Sequence, residues 1–327
     1  MKVDFPLDGD PAGYVDRAVR AERIGFAGVW AGETDHDALL PAALAAHATA
    51  RVDVGTRVVV AFARSPMSLA ICGNDLQMLS RGRFVLGLGS QVRAHIEHRY
   101  GVPWSRPAAR MRELIAALRA IWTSWAEGTP LDFRGEFSHH TLTSPAFRPP
   151  KHDFGFPRIG LAATGPMMLR VAADMADVVL VHSFMTERYL RETILPTVHA
   201  TRRPEISLRV LLATGRTEEE LAYAIRKVRA QVAFYASTPS YVGVLRAHGW
   251  EQLQVELAAL ARQGRWSEMP ALVDDEVLRT VAVVGEPAEV PGIVRDRFTG
   301  CADRIVFRSP TELTDDEWSS IVRALDR

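Results

Sequence analysis

Three stretches near the start of the chain decide the fold. Residues 21–37 read AERIGFAGVWAGETDHD, residues 54–66 read VGTRVVVAFARSP, and residues 74–91 read NDLQMLSRGRFVLGLGSQ. Each holds a short apolar run bounded by glycine or polar residues, and helical stretches separate the runs. Short apolar runs that alternate with helical patterns are typical of parallel β–α units. This part of the chain therefore predicts an α/β protein with a parallel sheet.

The same alternation continues to the end of the chain and predicts eight strands. We place them at Val3 to Phe5, Gly28 to Trp30, Val58 to Phe62, Phe84 to Leu88, Ile159 to Ala162, Val178 to Val181, Leu208 to Leu212 and Ile305 to Phe307. The run Val281 to Val284 is a rival for the last strand. Eight β–α steps predict a (β/α)8 TIM barrel, whose usual size is ~250 residues. An open, doubly wound sheet is the alternative, because alternation alone does not prove closure.

The chain exceeds that size, and two insertions account for the surplus. The first, at about 129–150, follows strand four and contains a hairpin pattern, LDFRGEFSHHTLT, at 131–143. The second, at about 216–278, follows strand seven and has a helical pattern. The sequence contains no linker rich in proline, glycine and serine and no block of like charge. We therefore predict that residues 1–327 form a single domain.

Composition narrows the class of protein. The 327 residues carry 39 basic and 39 acidic side chains, so the formal net charge is zero. A neutral chain gives no electrostatic reason to expect a nucleic-acid or membrane partner. No apolar run approaches the ~20 residues that span a bilayer, and the start, MKVDFPLDGD, lacks the apolar segment of a secretory signal. Two cysteines cannot form a disulfide scaffold, so we expect a cytoplasmic protein. We also expect it to act on a small molecule and to form a homo-oligomer or remain a monomer.

Several common motifs are missing from the sequence. Gly87-Leu88-Gly89 follows a strand but lacks the third glycine of a dinucleotide fingerprint, and residues 160–165 (GLAATG) lack the lysine of a phosphate loop. No G-x-S-x-G or H-E-x-x-H pattern occurs. His95 and His98 are one helical turn apart without a third ligand nearby, so we predict no metal site.

Position along the strands gives better candidates, because barrel enzymes place their chemistry on the loops after the strands. After strand two, residues 33–37 (ETDHD) surround His36 with three carboxylates. This loop either tunes the imidazole for proton transfer or is an ordinary surface loop. After strand five, Ala162 to Gly165 enters a helix and either receives a phosphate or forms a tight turn. After strand six, His182 is either a cofactor-binding residue or a hydrogen-bonded structural one.

The stretch from Ala21 to Ser90 resembles the luciferase-like flavin and deazaflavin superfamily, and more narrowly the coenzyme F420-dependent oxidoreductases of actinobacteria. The most specific element is S-x-G-R-x-x-L-G-x-G at Ser80 to Gly89. Later pieces look like one subgroup of those enzymes: QVRAHIEHRYG at 91–101, WSRPAARMRE at 104–113, LDFRGEF at 131–137 and QVAFYASTPSY at 231–241. The resemblance covers essentially the whole chain.

The resemblance implies a (β/α)8 barrel with the cofactor ring in its mouth. Asp35 and His36 match the pair that relatives place beside the ring, and they are the catalytic candidates. The bond between Ala61 and Phe62 matches a non-prolyl cis peptide under the ring. The remaining implied contacts are Ser90 and His95 near the ring or ribityl chain, and Ala162, Ala163, Thr164 and Gly165 at the cofactor tail.

Some departures from the family pattern bear on the substrate. The loop after strand six reads HSFMTERY, without the lysine of the sugar-phosphate dehydrogenases, and a glutamate after strand four is replaced near Val92. Both changes argue against a sugar-phosphate substrate. We expect hydride transfer between deazaflavin and a small alcohol, carbonyl or enone. The alternatives are an FMN-dependent monooxygenase of the luciferase type and a cofactor-binding barrel without catalysis.

Overall fold

The computed structural model describes residues 1–326, which form a closed barrel of eight parallel strands. In chain order the strands are β1 Lys2–Pro6, β2 Gly28–Ala31, β3 Asp53–Thr56, β4 Phe84–Gly89, β5 Arg158–Ala162, β6 Val178–Val181, β7 Glu205–Ala213 and β8 Arg304–Arg308. Each strand pairs with the next, and β8 pairs with β1 to close the barrel. The predicted TIM barrel is confirmed, and the open sheet is not formed.

Helices connect successive strands. The α-helices are Tyr14–Ile24, Leu39–Ala48, Pro66–Leu79, Arg93–His98, Pro107–Glu127, Pro166–Met175, Glu187–Tyr189, Leu195–Val198, Glu218–Ala236, Val242–Arg246, Glu251–Arg262, Asp275–Val281, Val290–Phe298 and Asp315–Leu325. A π-helical turn, Leu190–Ile194, joins the seventh to the eighth. The long helix Pro107–Glu127 buries the apolar face that its 3.6-residue period predicts. None of the helices in residues 1–326 is long and apolar enough to cross a membrane.

The middle of the barrel is filled by an apolar layer. It consists of Trp30, Val85, Val178, Leu180 and Val306. Two glycines make room for it. A Cβ on Gly55 would lie 2.5 Å from the Trp30 ring, and one on Gly87 would lie 1.7 Å from the carbonyl oxygen of Thr56. The Trp30 indole therefore fits because Gly55 carries no side chain, and Gly87 leaves room for the Thr56 backbone and Leu180.

The amino-terminal end of the barrel is closed by a buried charge cluster, which we call the floor. Arg304 is fully buried and makes two 2.7 Å contacts with the Asp4 carboxylate. It also donates to Asp53 at 2.6 Å and lies 3.4 Å from Glu205. Buried charges are tolerated when they are paired and hydrogen-bonded in this way.

The third strand begins and ends earlier than predicted. β3 ends at Thr56, and the predicted run 58–62 divides into a two-residue strand, Val59–Val60, and a 3-10 turn, Ala61–Ala63. The prediction of a cis bond between Ala61 and Phe62 is wrong. The cis bond found among residues 1–326 joins Arg57 to Val58. An apolar run does not distinguish a buried strand from a buried turn, which explains the displaced prediction.

Two smaller predictions have different outcomes. The hairpin pattern at 131–143 forms two short antiparallel strands, Phe133–Arg134 and His139–His140. The rival for the last strand is wrong, because Val283–Val284 pairs only with the carboxyl end of β7, whereas β8 completes the barrel. Several helices lie between β7 and that short strand. Tyr235, on the helix Glu218–Ala236, and Tyr241, in the 3-10 turn Pro239–Tyr241 that follows it, reach the mouth of the barrel.

Candidate active site

The loop after β2 is tied to the chain that follows β3. The Glu33 carboxylate accepts a hydrogen bond from the Val60 N–H at 2.9 Å and from the Tyr100 hydroxyl at 3.1 Å. It also pairs with the Arg64 guanidinium at 2.7 Å. The Glu33 side chain is only 7% exposed. This carboxylate therefore acts as an anchor that fixes the loop at the carboxyl end of the barrel.

Asp35 and His36 stand on the outer part of the same loop. Their side chains are 81% and 42% exposed, and His36 Nε2 lies 3.8 Å from an Asp35 oxygen, longer than a hydrogen bond. The Thr34 hydroxyl instead donates to Asp35 at 2.6 Å and holds the pKa of that carboxyl below its usual range. That Asp35 orients His36 therefore stays a prediction. A hydrogen bond between them would require the two side chains to move closer together.

The residues after β3 and β4 differ in accessibility. Ala61 and Phe62 are buried, and the Phe62 ring packs edge-on to Trp104 with Arg110 4.5 Å from its centre. Ser90 is half-buried, whereas His95 is exposed on the short helix Arg93–His98. Their contacts with a cofactor stay predictions.

The turn after β5 leads directly into a helix. Gly165 precedes the helix Pro166–Met175 and provides no side-chain cap. A Cβ added to Gly165 would meet no atom within 4 Å, so the turn borders open space. This arrangement fits the predicted position of a cofactor tail at Ala162 to Gly165, since free N–H groups of a first helical turn bind anions.

His182, directly after β6, lies among aromatic rings. Its ring stacks on Tyr241 and meets Tyr235 edge-on, with both pairs of ring centres 4.6 Å apart. The Phe184 N–H donates to Nδ1 at 3.1 Å, so the neutral imidazole carries its proton on Nε2. Burial, with repulsion from Arg209, Arg57 and Arg308, lowers the pKa of His182 to about 3. At neutral pH this side chain is therefore an uncharged hydrogen-bond donor.

Three arginines surround this histidine. Arg57 crosses the barrel and donates to Ser207 Oγ at 2.9 Å and to the Val181 carbonyl at 2.6 Å. Arg209, on β7, lies 3.1 Å from Asp8, and Arg308, at the end of β8, donates to the Tyr235 hydroxyl at 3.3 Å. Burial, and then Arg209, lowers the pKa of Arg57 to about 9, so its guanidinium stays charged at neutral pH.

Several buried polar atoms in this region lack a protein partner. Among residues 1–326 they include Ser183 Oγ, Thr214 Oγ1 and Arg209 Nε. Buried polar groups are normally satisfied, so these atoms are suited to a polar ligand. A cavity of about 770 Å³ lies at the other end of the barrel, beside the amino ends of the strands, and its lining includes Lys2 and Glu205. Barrel enzymes place their chemistry at the carboxyl ends of the strands, so we assign the site to the mouth.

Comparison with known families gives the identity of this barrel. The family model for luciferase-like monooxygenases matches residues 6–303. The chain belongs to this family. Rv1360 of Mycobacterium tuberculosis is 44% identical to this chain over 314 residues, which cover 94% of this chain and 92% of the relative.

Two further likenesses concern enzymes of coenzyme F420. Rv3520c of Mycobacterium tuberculosis, whose name assigns it provisionally to the coenzyme F420-dependent oxidoreductases, is 27% identical over 84% of each chain. The F420-dependent tetrahydromethanopterin reductase of Methanopyrus kandleri has the same fold, with a TM-score of 0.78 at 19% identity over 98% of this chain and 96% of that one. An EDTA monooxygenase from Chelativorans also shares the fold, with a TM-score of 0.70 at 16% identity over 100% and 93% of the two chains.

The structure also brings together residues of this luciferase-like protein that sequence reasoning did not select. Arginines are scattered throughout the sequence, so their number alone does not predict a binding site. Three of them converge because Arg57 directly follows β3, Arg209 lies within β7 and Arg308 ends β8. Tyr235 and Tyr241 lie in the stretch that carries a family resemblance, but no spacing indicates that they reach His182.

Proposed function

We propose that this protein is a coenzyme F420-dependent oxidoreductase that transfers a hydride between the deazaflavin and a small alcohol, carbonyl or enone. The observation that carries the proposal is the barrel mouth, where a solvent-accessible His36 and an uncharged His182 occur on loops that follow two opposite strands, β2 and β6, of one luciferase-like barrel. Similarity to Rv3520c over 84% of the chain supports F420 as the cofactor.

The residues of the mouth fit such a cofactor. The partnerless atoms of Ser183, Thr214 and Arg209 suit its polar edge, and the open turn at Gly165 suits its anionic tail. A bound deazaflavin supplies a carbon that donates or accepts a hydride and that reacts poorly with oxygen. The protein must hold substrate against that carbon, exclude water and move one proton.

His36 is the residue that we assign to the proton. When a carbonyl is reduced, the hydride goes to its carbon and His36 delivers a proton to its oxygen; alcohol oxidation reverses both transfers. A positioned acid or base contributes ~10²–10⁴-fold to a rate. His182 donates its Nε2–H to an oxygen of the bound ligand and does not take up a second proton near neutral pH, because its pKa is about 3.

The first experiment measures cofactor binding. Purified protein is titrated with oxidised and reduced F420, and FMN is added as a competitor. We expect F420 to bind and FMN to displace it poorly. Tight FMN binding together with oxygen-dependent product formation from reduced FMN would instead support the luciferase-type monooxygenase. F420 binding without turnover of any alcohol, ketone or enone in a substrate screen would support the barrel without catalysis.

The second experiment tests the role of His36. We expect His36→Ala to slow turnover by ~10²–10⁴-fold while F420 affinity stays within a few-fold of wild type. His47→Ala is the control, because His47 is also exposed but lies on the helix Leu39–Ala48. A loss confined to cofactor affinity would make His36 a binding residue. Unchanged turnover and unchanged affinity would remove it from the site.

A further inference from the structure

The barrel holds charged side chains at both ends, and the two ends differ in charge pairing. At the floor, Arg304 contacts three carboxylates, and one of them, Glu205, also pairs with Arg158. The apolar layer around Trp30 and Val306 lies next to it. Beyond that layer, the mouth carries Arg57, Arg209 and Arg308. The arginine of the floor is therefore paired with carboxylates of the protein itself. The arginines of the mouth can be compared with it.

The charges of the arginines around His182 are largely unpaired. Within residues 1–326 no carboxylate lies within 4.0 Å of Arg57, whose guanidinium bonds are to a hydroxyl and to carbonyl oxygens. Arg209 has one carboxylate partner, Asp8, at 3.1 Å, and Asp8 is itself 58% exposed. The Arg209 Nε is buried without a partner. Buried charge of one sign is costly unless a counter-ion compensates it.

Arg308 connects this charge to accessible space. It is exposed, and its hydrogen bond in the structure is to the Tyr235 hydroxyl. It also lines a cavity of about 300 Å³, together with Lys227 and Gln231 of the helix Glu218–Ala236. A small ligand in this cavity is thus adjacent to two cationic side chains, Arg308 and Lys227. Guanidinium groups bind carboxylates and similar oxyanions through paired N–H donors.

We propose that Arg57, Arg209 and Arg308 form a subsite for one anionic oxygen group of the bound ligand, of the carboxylate class. The uncharged His182 contributes its Nε2–H to the same group. The proposal deepens the proposed function and rests on it for the identity of the ligand, since the anionic oxygen belongs either to the substrate or to the cofactor. In both cases the anionic oxygen would compensate the positive charge of the three arginines.

The test uses propionate and its neutral isostere propionamide as probes. Binding of each to the full-length protein is measured by calorimetry at constant ionic strength, with and without saturating oxidised F420. We expect propionate to bind and propionamide not to bind. Arg308→Gln and Arg209→Gln should each weaken propionate binding by about tenfold, as expected for loss of one charge-assisted contact. Arg226→Gln, an exposed change on the helix that carries Lys227, should alter it less than twofold.

The cofactor arm identifies the source of the anion. Propionate that binds equally well to the F420-loaded protein indicates a substrate carboxylate. Propionate that F420 displaces, with F420 affinity falling about tenfold in the same two variants, indicates a cofactor oxygen. Both results support the subsite. Equal binding of propionate and propionamide, or equal weakening by Arg226→Gln, overturns it, and so does no propionate binding with unchanged F420 affinity in all variants. Propionate binding without F420 binding would refute the proposed function and leave the subsite standing.

Discussion

The pKa of His182 predicts how the stability of the fold depends on pH. An unfolded histidine titrates near 6.5, whereas burial and then Arg209, Arg57 and Arg308 lower the pKa of folded His182 to about 3. Because the folded pKa is depressed, protons bind the unfolded chain first as the pH falls. The contribution of His182 to stability is therefore complete above pH 6.5 and is lost between pH 6.5 and 3. Burial raises the pKa of Tyr241, which stacks on the ring, so this tyrosine does not titrate in that range.

The size of the effect follows from this shift. One pKa unit corresponds to about 1.4 kcal/mol, so at pH 5 the free energy of unfolding falls by about 2 kcal/mol on account of His182 alone. An unfolding entropy of about 2.1 cal/mol/K per residue makes this about 3 °C in the melting temperature of a chain of this length. His182→Gln should remove this pH dependence and leave that of every other group.

The assay compares melting temperatures at pH 7 and pH 5 for wild type, His182→Gln and the control His47→Gln. Wild type and His47→Gln should each lose about 3 °C more than His182→Gln between the two pH values. An equal loss in all three proteins would refute the reasoning, because it would mean that His182 takes up its proton as readily in the folded state as in the unfolded one. The comparison requires no cofactor or substrate.

Two further predictions concern anchoring contacts. Arg304→Gln leaves the Asp4 carboxylate buried without its charge partner and should cost about 3–5 kcal/mol, or about 4–7 °C in melting temperature; a change below 1 °C would show that the floor is not a buried ion-pair cluster. Glu33→Gln weakens the contacts with Val60, Arg64 and Tyr100, and should cost about 1–3 kcal/mol and speed amide hydrogen exchange at residues 33–37. Unchanged exchange there would mean that other contacts hold the loop.

Sequence reasoning predicted the barrel well because its signals are local. Seven of the eight predicted strands overlap the observed ones, since a run such as Val178–Val181 is apolar on both faces and bounded by helices. The third failed where local signals conflict. Val54 and Gly55 belong to the observed strand, but Gly55 and Thr56 reduce its apolar character, whereas the more apolar run beyond them forms only the two-residue strand Val59–Val60 and a turn.

The candidate site was less predictable for a different reason. Closure of the barrel places every loop after a strand at one mouth, so the positions of His36 and His182 follow from the fold class alone. The hydrogen bond from Arg57 to Ser207 joins residues that are 150 positions apart in the chain. It forms only if both side chains point into the barrel. A single sequence with a shifted third strand does not give that register.

In the proposed function the two histidines of the mouth have different roles. Groups whose environments differ in this way identify acid–base roles in enzyme sites. His182 is held uncharged by burial and three guanidinium groups, and because its Nδ1 accepts from the Phe184 N–H, its Nε2–H is available as a donor. His36 is in contact with solvent on an anchored loop, and the proposed function assigns the transferred proton to it. If the arginines around His182 hold an anionic oxygen as proposed, binding of that oxygen and proton transfer by His36 take place on opposite sides of one barrel mouth, since His36 follows β2 and His182 follows β6.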